Sequence, residues 1–243
     1  MSADATIFGC RGIGISFGGR AILQDVTLSV AAGEVLGLVG PNGAGKTSLF
    51  EILCGRYTAE SGQVFLGDRD ITRMSVHDRA RLGLGRTYQS PVVPGSLTIA
   101  ETFRAARYAY KPYKTRMDAE RACHLANFRQ PWDRVAGSLD TFDRRKLLLS
   151  CLLMRHPSVL LLDEPASGLI NSEIDELDLI IRRLVDEYNI GAILIEHRLE
   201  LLSAIADRAV VLDMGLVIAS GTPRDVFRDP RVLAAYFEEP AHG

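Results

Sequence analysis

The sequence is short of lysine, cysteine and tryptophan, and the shortages exclude whole classes of function. Its 28 basic residues include just four lysines, Lys46, Lys111, Lys114 and Lys146, and 30 acidic residues bring the formal charge to −2. So even a balance lacks the cationic excess that sequence-independent nucleic-acid binding needs to release counterions, and no nucleic-acid partner is expected. Cys10, Cys54, Cys123 and Cys151 lie too far apart for the close pairs of a zinc site or for a dense disulfide framework. They read as buried, reduced thiols. His77, His124, His156, His197 and His242 show no ligand spacing either. No stretch approaches the roughly 18 apolar residues that cross a bilayer; the richest, Leu147 to Met154, is short and follows Arg144, Arg145 and Lys146. Met1-Ser2-Ala3-Asp4 has neither a basic start nor an apolar signal core. What remains is a chain of 243 residues, 47% hydrophobic, with enough apolar residues for one sizeable core and an expected place in the cytoplasm.

From Ile7 to Val30, short apolar runs alternate around Gly18-Gly19 and Asp25, which predicts antiparallel strands joined by a tight turn. The texture then changes. Val35-Leu36-Gly37-Leu38-Val39, Val159-Leu160-Leu161-Leu162 and Ile193-Leu194-Ile195 are apolar without alternation, as in strands covered on both faces of a parallel sheet. Helical patterns separate them. In one, Ser172 is the expected cap, Asp175 completes a capping-box spacing, and Ile174, Leu177, Ile180, Ile181, Leu184 and Val185 share a face. Strand then helix, repeated, implies an α/β core. The segment from Thr98 to Phe128 carries helix formers broken at Pro112 and no strand-like run, so a small helical lobe is expected there. After Gly221-Thr222-Pro223 two short helical patterns remain.

Directly after the first buried strand stands Gly40-Pro41-Asn42-Gly43-Ala44-Gly45-Lys46-Thr47, and a helical pattern follows from Ser48. The glycines permit backbone angles that aim successive N–H groups at one point, where the helix N-terminus adds its positive end. Phosphate binds in such a concavity. Lys46 reaches the β- and γ-phosphates, and the Thr47 hydroxyl is placed to ligate magnesium. A second buried strand delivers Asp163 and Glu164 at its end. Asp163 is read as holding magnesium through water, and Glu164 as the general base that polarises the attacking water. His197 follows the third buried strand, on the same carboxyl edge. ATP and Mg2+ are the expected ligands.

With these motifs the chain resembles the ATP-binding subunit of an ABC transporter over nearly its whole length, through the phosphate loop, Leu160-Leu161-Leu162-Asp163-Glu164-Pro165 and Glu196-His197. Within that family, Phe17-Gly18-Gly19, Gly85-Arg86-Thr87-Tyr88-Gln89, and Ala219-Ser220-Gly221-Thr222-Pro223 with Ala235-Tyr236 resemble the ATPases of branched-chain amino acid importers. The resemblance implies a P-loop NTPase core at 1–89 and 155–243, with an antiparallel β subdomain at its N-terminal end and a helical subdomain at 90–154. It implies that Phe17 stacks on adenine and that Gly40 through Ser48 hold the phosphates. Gln89 would reach magnesium and the water while linking core to helical lobe, and His197 would contact the γ-phosphate. Ser90-Pro91-Val92-Val93-Pro94 would line the groove receiving a membrane subunit's cytoplasmic helix. Implied partners are a second ATPase subunit, two membrane permease subunits and, through them, an extracytoplasmic solute-binding protein. The chain would then sit peripherally on the cytoplasmic face of the inner membrane.

The sequence departs from that family at the signature loop, ordinarily Leu-Ser-Gly-Gly-Gln, which closes over ATP held by the opposing subunit. Here it is Leu139-Asp140-Thr141-Phe142-Asp143. Asp140 is an anion where a donor is expected, and Phe142 is expected to fill the space left by glycine. Asp140 and Asp143 suit a different purpose, capping the helix that ends at Met154. Ile170 stands where the family usually carries an aspartate, and Arg198 where an acid often follows the histidine. The expectation is a complete hydrolytic half-site that needs a partner ATPase with an intact signature. Alternatives are an ATP-binding regulatory subunit with little hydrolysis and a non-transport ABC ATPase.

Overall fold

The computed structural model describes residues 6–108, 112–196 and 198–237. The alternating N-terminal stretch forms a hairpin, β1 (Thr6–Phe17) and β2 (Arg20–Ala31), around Gly18-Gly19, both at positive φ. Next come β3 (Val35–Val39), buried throughout, and α1 (Lys46–Cys54). β4 (Ser61–Leu66) returns to pair with β1, and β5 (Arg69–Asp70) with β4, completing an antiparallel sheet ordered β2-β1-β4-β5. After α2 (Val76–Arg81) and β6 (Leu84–Arg86) the chain is helical, through α3 (Ile99–Tyr108), α4 (Arg116–Leu125) and α5 (Thr141–Leu153). Strand and helix then alternate in β7 (Val159–Asp163), α6 (Asn171–Tyr188), β8 (Gly191–Ile195), α7 (Leu199–Ile205) and β9 (Arg208–Asp213). β10 (Leu216–Gly221), α8 (Pro223–Val226) and α9 (Pro230–Phe237) end the described chain.

The second sheet runs β10-β9-β3-β8-β7-β6, parallel except for the β9–β10 pair. Its uninterrupted apolar strands are two half-patterns superposed. Leu160, Leu162, Ala192 and Leu194 face a core made with α5 and α6, whereas Val159, Leu161, Ile193 and Ile195 face the one that holds α1 and the antiparallel sheet. Side chains alternate as in any strand, and both faces are covered. This is the expected α/β class. No helix among the described residues is long and apolar enough to cross a membrane.

The C-terminus of α1 has no basic residue of its own. Arg79 of α2, 1% exposed, supplies one from outside: its guanidinium donates to the carbonyls of Ile52 at 2.7 Å and Leu53 at 2.8 Å, and to those of Thr72 and Met74. A cation there satisfies carbonyls that the helix leaves open and complements its dipole.

Two local expectations are corrected. Ser172 does not cap α6, which starts at Asn171 because the Glu173 carboxylate reaches back to the Ile170 N–H at 3.0 Å and fixes the first turn earlier. Cys10, Cys54 and Cys123 are buried free thiols, but Cys151 is half-buried, since it borders a cavity beside α5.

Candidate functional site

β3, β8 and β7 lie side by side, so the loops leaving their carboxyl ends converge. The loop after β3 passes so close to β9 that a Cβ on Gly40 would collide with the Leu212 carbonyl. Gly43 and Gly45 take φ of 81° and 105°, and Gly45 opens α1 with no side chain capping it. The first-turn N–H groups are thereby left for an anion. Asn42, Gly43, Ala44, Gly45, Lys46, Thr47 and Ser48 line a cavity of about 570 Å³, with Arg20, Met214 and Glu164 among the other walls. Lys46 Nζ lies folded over the loop, donating to the carbonyls of Gly40 at 2.6 Å and Pro41 at 2.9 Å. Burial holds its ammonium pKa below the ordinary lysine value, while Glu164 and Asp163 work in the opposite direction.

Glu164 follows β7 at φ 45°, a left-handed conformation that a non-glycine residue adopts only under constraint. Its N–H donates to the Ile195 carbonyl at 3.0 Å, which ties the turn to β8. Its Oε2 accepts a 2.6 Å hydrogen bond from Gln89 Nε2. Glu196, after β8, accepts from the Ala166 N–H at 3.0 Å and so fastens the same two loops a second time. The structure therefore brings Gln89 to Glu164, and Glu164 and Asp163 within electrostatic reach of Lys46. Asp163 is not among the residues lining that cavity, and burial raises its carboxyl pKa against the opposing pull of Arg86. Phe17 stands apart from the phosphate cavity, half-exposed at the end of β1. His197 lies outside the described residues.

Two arginines of this site escaped the sequence reading. Arg86 ends β6 with a side chain 7% exposed, and donates to Cys54 Sγ at 2.9 Å, Glu51 Oε1 at 2.9 Å and Asp163 Oδ2 at 3.3 Å. Its guanidinium also lies 4.7 Å from the Tyr88 ring centroid. A lone charge in the buried run Leu84-Gly85-Arg86 was the available signal. Arg145 of α5 carries none, being one of three consecutive basic residues on a helix. Its guanidinium donates to the backbone carbonyls of Gln89, Pro165 and Ser167. Arg86→Met leaves Asp163 buried without its cation and Glu51 with only the longer 3.7 Å contact to the exposed Arg56. The expected result is a loss of about 3 kcal/mol, read as a drop of about 6–12 °C in melting temperature; an unchanged melting curve removes Arg86 from this role.

At the altered signature loop, Asp140 caps α5 through the Asp143 N–H at 2.8 Å, as the sequence suggests. The expectation for Phe142 is corrected. Its ring is buried in the helical core with the Lys146 ammonium 4.3 Å above it, because the apolar face of α5 gains more from burial than from standing at the loop surface. Ile170 is exposed, and nothing in the structure explains Arg198. Ser90, Pro91 and the exposed Val92 border an apolar cavity of about 560 Å³ between Tyr88, α5 and α6.

A general family model described as ABC transporter matches residues 23–167, more than half of the sequence. The chain belongs to the ABC transporter family. A second model, described as branched-chain amino acid ATP-binding cassette transporter, matches residues 217–237, which include the Gly221-Thr222-Pro223 and Tyr236 positions. The high-affinity branched-chain amino acid transport ATP-binding protein BraF of Pseudomonas aeruginosa is 34% identical, with 94% of this chain and 96% of BraF covered. The lipopolysaccharide export system ATP-binding protein LptB of Acidithiobacillus ferridurans is 33% identical over 91% of this ABC protein and 92% of its own length. Among solved structures, a nucleotide-free ATP-binding cassette from an ABC transporter aligns with a TM-score of 0.86 at 25% identity, covering 96% of this chain and all of the other. An ADP conformation of an ATP-binding cassette aligns at 0.85 and 25%, over 96% of this chain and 99% of its own.

Proposed function

We propose that this ABC subunit binds and hydrolyses ATP to energise an importer for branched-chain amino acids or related small solutes. The observation that supports the hydrolytic reading is the Gln89–Glu164 hydrogen bond, with Glu164 lining the phosphate cavity and acting on the Lys46 ammonium. In this reading the N-terminus of α1 and Lys46 hold the phosphates. Glu164 takes the proton of the attacking water, Gln89 orients that water, and His197 contacts the γ-phosphate. Thr47, Asp163 and Gln89 offer the hard oxygen donors that Mg2+ takes. Among the described residues no cluster of three acidic, histidine or cysteine side chains forms a closed metal cage. That suits a cation which completes its shell with phosphate oxygens and water. When bound, Mg2+ supplies charge neutralisation along the phosphates.

The partner expectations follow the same reading. Residues 90–154 act as a helical subdomain against a core of 1–89 and 155–243, and the apolar cavity beside Ser90–Val92 takes a cytoplasmic helix of one of two permease subunits. A solute-binding protein delivers cargo from the far side, and this chain sits on the cytoplasmic face of the membrane. Its nucleotide sandwich is completed by a different ATPase subunit with an intact signature. Two unit charges 4 Å apart repel by about 4 kcal/mol at an effective dielectric of 20, and by about 2 kcal/mol if screening halves it. Asp140 facing a γ-phosphate is in that position.

The test is ATP turnover by the chain alone and in its assembled complex. The expected outcome is negligible turnover by the homodimer. Asp140→Ser keeps an N-cap, since serine caps as well as aspartate, and removes the charge. Homodimer turnover should then rise by about thirtyfold, the equivalent of about 2 kcal/mol. Robust turnover by the unmodified homodimer overturns the heterodimer reading.

A further inference from the structure

We propose that Tyr57 belongs to the nucleobase side of the site, as the residue that holds Phe17 in place as a stacking platform. The proposal rests on the nucleotide-binding reading and adds to it a residue that no sequence motif singled out.

Phe17 is the last residue of β1, and the turn beyond it is open: an added Cβ at Gly18 or Gly19 would meet nothing within 4 Å. Phe17 also lies outside the three buried cores and keeps 47% of its surface exposed. A lone aromatic in that setting has many rotamers to choose from, and ordering it for a ligand costs affinity. Tyr57 meets it with ring centroids 5.5 Å apart and planes at 74°, an edge-to-face pair.

Tyr57 is itself held firmly. Its N–H donates to the Glu51 carbonyl at 3.0 Å, beside the Arg56 N–H at 2.8 Å, just after α1 closes at Gly55. Arg79 clamps the carbonyls of that same helix end. α1 thus serves a nucleotide twice, with its N-terminus under the phosphates and its C-terminus bracing, through Tyr57, the ring that meets the base. Tyr57 is 40% exposed and belongs to no core cluster, so burial does not account for its position.

The experiment measures equilibrium binding of ADP and of inorganic tripolyphosphate, both with Mg2+, to the full-length chain. Tyr57→Ala should weaken ADP binding three- to tenfold and leave tripolyphosphate within twofold of the wild type, while Tyr57→Phe binds ADP like the wild type. Adding Tyr57→Ala to Phe17→Ala should cost nothing beyond Phe17→Ala alone. Melting temperature, expected to be unchanged for Tyr57→Ala, checks the fold. Wild-type ADP affinity in Tyr57→Ala overturns the proposal, as do equal losses for both ligands or additive losses in the double variant. A wild-type chain that binds neither ligand instead overturns the nucleotide reading beneath it.

Discussion

Glu164→Gln in the assembled complex should lower ATP turnover by about two to four orders of magnitude, the range a positioned general base contributes, while ATP still binds. The amide has the shape of the carboxylate, so the 2.6 Å contact with Gln89 and the left-handed turn at residue 164 are both retained. What is lost is the ability to accept a proton. Because Glu164 is one lining residue of a phosphate cavity whose largest contributor is the 42–48 loop, affinity for ATP should stay within a few fold of the wild type. Phosphate release and nucleotide binding, measured on the same preparation, separate the two effects. Turnover within threefold of the wild type would take the base assignment away from Glu164.

Lys46→Ala should produce the opposite pattern, a fall of about 10–100-fold in ATP affinity from loss of charge-assisted hydrogen bonds worth about 1.5–3 kcal/mol. The Lys46 ammonium bonds the loop carbonyls of Gly40 and Pro41 and lies in the field of Glu164 and Asp163. Removing it takes away a cation that acts on Glu164, whereas Asp163 keeps Arg86, so an electrostatic loss at Glu164 adds to the missing hydrogen bonds. Titration calorimetry with ATP is the direct measurement. Unaltered affinity would mean that the backbone N–H groups of the loop suffice and that Lys46 contributes little to binding.

Much of this site was legible because its chemistry is carried by local patterns. The glycines at 40, 43 and 45 announce a loop that needs close approach or positive φ, and the uninterrupted strands ending at Val39, Asp163 and Ile195 announce a shared carboxyl edge. The α/β class followed from the same alternation of strand and helix. What stayed hidden was long-range. Arg86 and Arg79 reach partners up to 77 positions away in the chain, and those partners are backbone carbonyls, a thiol and carboxylates that no spacing rule connects. The start of α6 lies earlier than a Ser172 cap predicts, because the Glu173 carboxylate accepts from the Ile170 N–H, a contact the Ser172–Asp175 spacing does not reveal. Phe142 departs from its expected place for a related reason: a residue beside a ligand-facing loop can still belong to the apolar side of the helix that the loop begins.

The grip of Arg145 also bears on how motion is transmitted. The guanidinium bonds main-chain carbonyls of Gln89, Pro165 and Ser167, so α5 is geared to the loop before the helical segment and to the loop after the base through one rigid planar group. A displacement of α5 therefore arrives at both loops together, not in succession. Since every acceptor is backbone, the gear survives changes of side chain at positions 89, 165 and 167, and it is the arginine alone whose replacement disengages it.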